Sequence, residues 1–199
     1  MLQNLFRSYF ARFMYPLAQA FVLNKILRGV IFCTPFWLYD IWLTWKVRSN
    51  FFFWDTIQLA SQHALFFYNN THFSTFLLPD EMDSGHPPTF GFYLALVWRI
   101  FGKSLEISHL AILPFLLGIV WQAWKLGEKI VGEGWALLFL LLLTVCPVVA
   151  GQAVLVSPDI VLLLFFLMAL NGIFNTINFQ INTSELNSFL NLKDRKSVV

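Results

Sequence analysis

Between Leu77 and Gly102 the chain reads LLPDEMDSGHPPTFGFYLALVWRIFG. Three carboxylates, Asp80, Glu81 and Asp83, crowd together there and are followed by Gly85, His86, Pro87 and Pro88. Carboxylate oxygens with one imidazole form a hard donor set that suits a divalent cation such as Mg²⁺ or Mn²⁺. The same acids also read as ordinary solvated loop residues, because their spacing matches no defined metal loop. Two more aspartates open apolar segments: Asp55 in FFFWDTIQLA and Asp159 in VSPDIVLLLFF. Each fits the first turn of a helix, where a carboxylate complements the macrodipole. Each also fits the role of a general base that takes a proton from an attacking hydroxyl. Asp40 lies within an apolar run, where an acid is a functional candidate by default; it also stands near enough to the end of the run to reach the interface. Arg99 and His109 interrupt otherwise apolar segments. With His86 they are the candidates for holding a lipid phosphate; a structural hydrogen bond is the plainer role for each. No P-loop, dinucleotide fingerprint, zinc-protease motif or nucleophile elbow occurs.

These residues must be positioned by apolar elements. The chain has 199 residues, 58% hydrophobic and 12% charged, with a mean hydropathy of +0.66. A soluble domain is nearer about 45–50% apolar and about 25% charged. The excess apolar surface points to a bilayer as solvent, and 23 Phe and 8 Trp suit lipid-facing and interfacial positions. A net charge of +2 gives no reason to expect a nucleic-acid partner. Cys33 and Cys146 both fall in apolar runs and read as small buried hydrophobes.

The expected fold class is all-α, a polytopic transmembrane bundle. Spans are expected at about 26–45, 106–126, 134–151 and 160–176. Arg7, Arg12 and Lys25 before the first span, with Arg28 at its very start, place a basic segment, 1–25, in the cytoplasm. The run 89–101 has about 13 residues where a span needs about 20, so it is expected to lie at the outer interface. Residues 46–105 then form one extracytoplasmic loop with surface helices at about 52–68 and 87–101. By the same parity Asp55, the acidic cluster with His86, and Asp159 share one face of the membrane. In the first surface helix, Phe53, Ile57, Ala60, Ala64 and Phe67 recur as one helical stripe. Beyond the membrane domain, 26–176, the polar Asn-rich tail 177–199 is expected to mark a truncation.

The order of these motifs resembles the N-terminal part of membrane glycosyltransferases of the GT-C fold that use polyprenyl-phosphate sugars, the protein O-mannosyltransferase and aminoarabinose-transferase relatives. The resemblance rests on FFFWDTIQLA after the first span, on GHPPTFGFYLALVWRIFG, on SLEISHLAILPFLLGIVWQAWKLG and on VSPDIVLLLFFLMAL, over about 26–175. It implies Asp55 as the catalytic acidic residue, Asp159 as a second acidic residue facing the same cavity, and 87–102 as a juxtamembrane helix. It implies a polyprenyl-phosphate-linked sugar as donor, a glycan, lipid or protein acceptor with a hydroxyl or amine, and a bacterial inner membrane as location. Two positions depart from the family: Thr56 follows Asp55 where a second acid is frequent, and His109 stands where Arg is usual, giving a weaker phosphate ligand. A transporter using Asp40, Asp55 and Asp159 as an ion path, and an accessory membrane subunit without catalysis, are the competing expectations.

Overall fold

The computed structural model describes residues 25–70, 77–82 and 85–177. Asp83, the basic residues Arg7 and Arg12, and the tail from 178 lie outside the described residues. Helices make up the fold, and no strand occurs among the described residues. The first helix, α1 (Lys25–Val47), has 23 residues and is about 34 Å long at 1.5 Å per residue, enough to cross the roughly 30 Å hydrocarbon core. A π-helical turn (Ile57–Gln62) runs directly into α2 (His63–Asn69). A short 3₁₀ turn (Asp80–Met82) precedes α3 (Thr89–Phe101). Then come α4 (Leu105–Leu110), α5 (Leu113–Val131), α6 (Glu133–Val145), α7 (Pro147–Ala153) and α8 (Pro158–Ile177).

Among the described residues three helical segments are long and apolar enough to cross a membrane: Lys25–Val47, Leu105–Val131 and Pro158–Thr176. The α6–α7 pair makes a fourth if it counts as one span, bent by 63° at its break. The chain is thus an all-α membrane bundle. Large apolar side chains such as Leu38, Leu142, Leu162 and Phe166 lie on its outside, where a bilayer rather than water is the compatible surrounding. At 13 residues, α3 falls short of a span.

Each boundary has a local cause. Ser104 caps α4, its Oγ accepting from the Ile107 amide at 3.2 Å. Pro114 occupies the first turn of α5, where its missing N–H costs no hydrogen bond. The expected gap between the spans 106–126 and 134–151 shrinks to Gly132: residues up to Val131 continue α5, and the chain turns only at this glycine. Good helix formers in that stretch and the Lys25 Nζ–Glu128 pair at 2.9 Å favour the extra turns. The third span is also not one rod. Pro147 has no N–H to continue the ladder, so the helix stops at Val145 and restarts in a new direction.

α5 is the hub and packs on α1, α6 and α8. At Gly29 of α1, the absent side chain leaves room for the rings of Trp121 and Trp124, a small-residue contact of the kind that brings membrane helices together. The Trp37 indole donates to the Leu117 carbonyl at 2.9 Å. Lys25–Glu128 and Arg28–Glu133 close one end of the bundle. At the other end His109 Nε2 meets the Asn50 carbonyl at 3.1 Å, so α1 and α5 are antiparallel. On α8, Asn171 Nδ2 donates to the Gln122 carbonyl at 2.8 Å, and Lys129 Nζ donates to Asn171 Oδ1 at 2.8 Å. This pins the later half of α8 beside the later half of α5. Asp159, at the start of α8, therefore stands at the end of the bundle that carries Asn50 and His109.

Candidate functional site

At that end a pocket of about 230 Å³ opens between the π-helical turn, the Gly85–Pro88 turn, the start of α3 and the start of α8. Leu59, His86, Pro87, Thr89, Phe90 and Asp159 line it, with Val161, Leu162 and Phe165 continuing its apolar wall. Gly85 enters the turn at φ 71°, a backbone conformation that side chains rarely adopt, and the two prolines then stiffen the lead into α3. Asp159 is set by a local cap: its amide donates to Ser157 Oγ at 3.2 Å.

Asp159 also borders a second space. An apolar groove of about 490 Å³ runs between α7 and α8 past Val148, Val149, Ile160, Leu163 and Phe166. Gln152 lines the same groove, and its Oε1 is buried with no hydrogen-bond partner among the described residues. The carboxylate thus stands where a pocket with an imidazole in its wall meets a groove suited to hydrocarbon. Such a junction can hold an amphiphile, head toward His86 and tail along α8.

The short helices around the pocket are tightly joined. Gly91 of α3 lies against α2 so closely that a Cβ would fall 2.4 Å from His63 Cβ and 3.1 Å from the Ala64 amide nitrogen. His63 is 1% exposed, and its Nε2 meets the Met82 carbonyl at 3.2 Å, tying the 3₁₀ turn to α2. The Trp98 indole donates to Ser108 Oγ at 2.9 Å. The Tyr93 hydroxyl donates to the Ala111 carbonyl at 2.9 Å, and burial pushes its phenol up from the ordinary value, which keeps it a donor.

The residues singled out in the sequence fall in different places. His86 and Asp159 meet on one pocket. Asp55 is exposed in the first turn, four residues before the pocket residue Leu59, and is not itself part of the lining. It follows Trp54, whose φ of 51° is a strained value for an aromatic residue. Phe51, Phe53 and Trp54 around it are all strongly exposed, as an interfacial aromatic belt requires. The stripe begins later than expected. Ala60, Ala64 and Phe67 are buried, whereas Ile57 and Phe53 face outward and Thr56 takes the inner position. The wider π turn changes the phase of everything before it.

Arg99 donates from one guanidinium nitrogen to the carbonyls of Phe67 and Tyr68, each at 3.1 Å, and to that of Asn70. It caps the C-terminal end of α2, a favourable place for a cation. His109 is buried on Asn50. Neither Arg99 nor His109 lines the pocket that holds His86 and Asp159. Asp80 and Glu81 are exposed on the 3₁₀ turn, and among the described residues no three His, Cys, Asp or Glu side chains come together as a metal site. Cys33 and Cys146 are both free thiols. His63 and Gln152 carry no motif; a polar residue inside an apolar stripe is the only signal the sequence offers for either.

Residues 85–182 match the family model described as dolichyl-phosphate-mannose-protein mannosyltransferase. At the level of the family this is a likeness to membrane glycosyltransferases of the GT-C type. The matched segment holds His86, Arg99, His109 and Asp159 and leaves Asp55 outside. No curated protein and no solved structure gives a match.

Proposed function

We propose that this chain belongs to the catalytic part of a membrane glycosyltransferase that moves a sugar from a polyprenyl-phosphate donor to an acceptor hydroxyl or amine at the extracytoplasmic interface. What carries the reading is the convergence of His86 and Asp159 on one pocket that joins the apolar groove between α7 and α8. The likeness of residues 85–182 to the mannosyltransferase family supports it. The isoprenoid tail lies along the groove, and the phosphate head reaches the pocket near His86. The acceptor oxygen attacks the anomeric carbon, the new C–O bond forms, and the bond from that carbon to the phosphate oxygen breaks. The lipid phosphate leaves with the electron pair and needs stabilisation of its charge rather than a proton. The acceptor proton passes to a carboxylate. Asp55 is the base in this reading, about one helical turn before the pocket residue Leu59, and Asp159 orients the acceptor.

The test is incorporation of radiolabelled sugar from a polyprenyl-phosphate donor by the full-length gene product. Asp55→Asn keeps size and helix-start hydrogen bonding but cannot accept the proton, so transfer should fall about 10²–10⁴-fold with membrane insertion intact. Asp159→Asn should lose less. A fully active Asp55→Asn protein removes that residue from the mechanism. No transfer by the wild-type protein from any polyprenyl-phosphate sugar would overturn the function itself.

A further inference from the structure

The end of the bundle opposite the pocket gathers positive charge. Lys25 and Arg28 of α1 come together there with Lys125 and Lys129 of α5, against two carboxylates among the described residues, Glu128 and Glu133. Both carboxylates are taken: Lys25 Nζ holds Glu128 at 2.9 Å and Arg28 Nη1 holds Glu133 at 3.0 Å. The charges of Lys125 and Lys129 are left over. Lys129 Nζ donates to the Asn171 carbonyl at 3.2 Å and to Asn171 Oδ1 at 2.8 Å. Both acceptors are neutral, and an ammonium has three N–H groups, so one remains. No carboxylate among the described residues pairs with Lys125. Lys125 and Lys129 are four apart on one helix, a spacing at which like charges repel. Lys25 and Lys125 both stand near enough to act on the Lys129 charge.

Helix geometry places these ammoniums on one strip of α5. Trp121 packs at Gly29 of α1, and Glu128 pairs with Lys25 of α1. Gln122 and Lys129 both bond to Asn171 of α8. Lys125 is three or four residues from all four, so at about 3.6 residues per turn it lies between the α1 side and the α8 side. It is half-buried there. α1 and α8 both pack on α5 and have no extensive contact with each other, so the strip faces outward between them. Depth fits a headgroup. The segment Leu105–Val131 has 27 residues, about 40 Å at 1.5 Å each, against a hydrocarbon core of about 30 Å. Its last two turns, which carry Lys125 and Lys129, thus reach the headgroup layer.

We propose that this strip binds an anionic phospholipid of the leaflet opposite the pocket, with its phosphate between Lys125 and Lys129 and its tails outside the bundle between α1 and α8. Basic residues between membrane helices recognise such headgroups by charge. The phosphate relieves the repulsion among the lysines, which the neutral Asn171 acceptors cannot do. Glu128 does not repel it strongly, because Lys25 already neutralises that carboxylate. The site lies at the other end of the bundle from His86 and Asp159, and it stands or falls separately from the transfer reaction.

The test uses the full chain in bilayers of phosphatidylcholine with or without phosphatidylglycerol. Spin-labelled forms of the two lipids report how strongly the protein prefers the anionic one. Lys125→Gln should lower that preference about fivefold, the worth of one basic side chain at a membrane surface, and Lys125→Arg should keep it. Lys46→Gln, which removes an equal charge from the other end of α1, should leave it within about twofold. Thermal unfolding gives a second readout with a change of sign. In phosphatidylcholine alone Lys125→Gln should melt at or above the wild-type midpoint, because it removes a repulsion. With phosphatidylglycerol present it should melt below wild type, because a ligand that binds the folded state is lost. A wild-type protein with no preference for phosphatidylglycerol, or a Lys125→Gln protein that keeps the full preference, would overturn the site. An equal loss in Lys46→Gln would overturn it too, as attraction by net charge alone. Inorganic phosphate that raises the wild-type midpoint in phosphatidylcholine as much as phosphatidylglycerol does would overturn the lipid as its ligand.

Discussion

Arg99 and His86 were equal candidates for a lipid phosphate, yet their surroundings give them separate work. Arg99 reaches across to three backbone carbonyls at the end of α2, while His86 stands in the wall of the pocket opposite Asp159. Arg99→Met should therefore lower stability by about 1 kcal/mol, the net worth of exposed hydrogen bonds of this kind, and leave KM for the donor unchanged. His86→Ala should raise KM for the donor. Paired melts and donor titrations on the two variants read both effects. An Arg99→Met protein of full stability with a raised donor KM would return Arg99 to the binding site.

At the scale of elements, the pocket depends on how closely α3 can lie on α2. Gly91 allows that approach, because any side chain there meets His63 Cβ and the backbone nitrogen of Ala64, neither of which can swing aside. Gly91→Ala should cost about 1–3 kcal/mol, the usual penalty for overpacking. It should also reduce transfer, since Thr89 and Phe90 sit just before it in the pocket wall. Denaturant melts with an activity measurement at matched folded fraction check this. A glycine at this position has no helix-stabilising value of its own, so its presence is explained by the crossing alone.

For the molecule as a whole, the packing sets His86, Asp159 and His109 at one end and Glu128 and Glu133 at the other. In a background without Cys33 and Cys146, cysteines at the exposed positions Asn70 and Asp159 should react with a membrane-impermeant thiol reagent from the same side. A cysteine at exposed Gly134 should react only from the opposite side. Labelling of Asn70→Cys and Asp159→Cys from different sides would break the shared site. The ion pairs at the far end should contribute little, about 0–1 kcal/mol each, because both involve partly exposed side chains.

Composition and segment length were enough to read a helical membrane bundle, since a bilayer demands long apolar helices and leaves that demand visible in the chain. Length also marked Thr89–Phe101 as too short to cross, and parity then placed His86 and Asp159 on a common face. The bend at Pro147 was legible only as a weak punctuation, because a proline in an apolar run either ends a span or kinks it, and the neighbours decide which. The π turn that shifts the stripe from Phe53 and Ile57 to Thr56 has no sequence period to announce it. Tertiary structure alone separated Arg99 and His109 from the pocket, buried Asp40, and left Gln152 Oε1 without a partner among the described residues. Each of these depends on which atoms lie within about 3 Å of a side chain, and in a bundle such contacts come from helices distant in sequence.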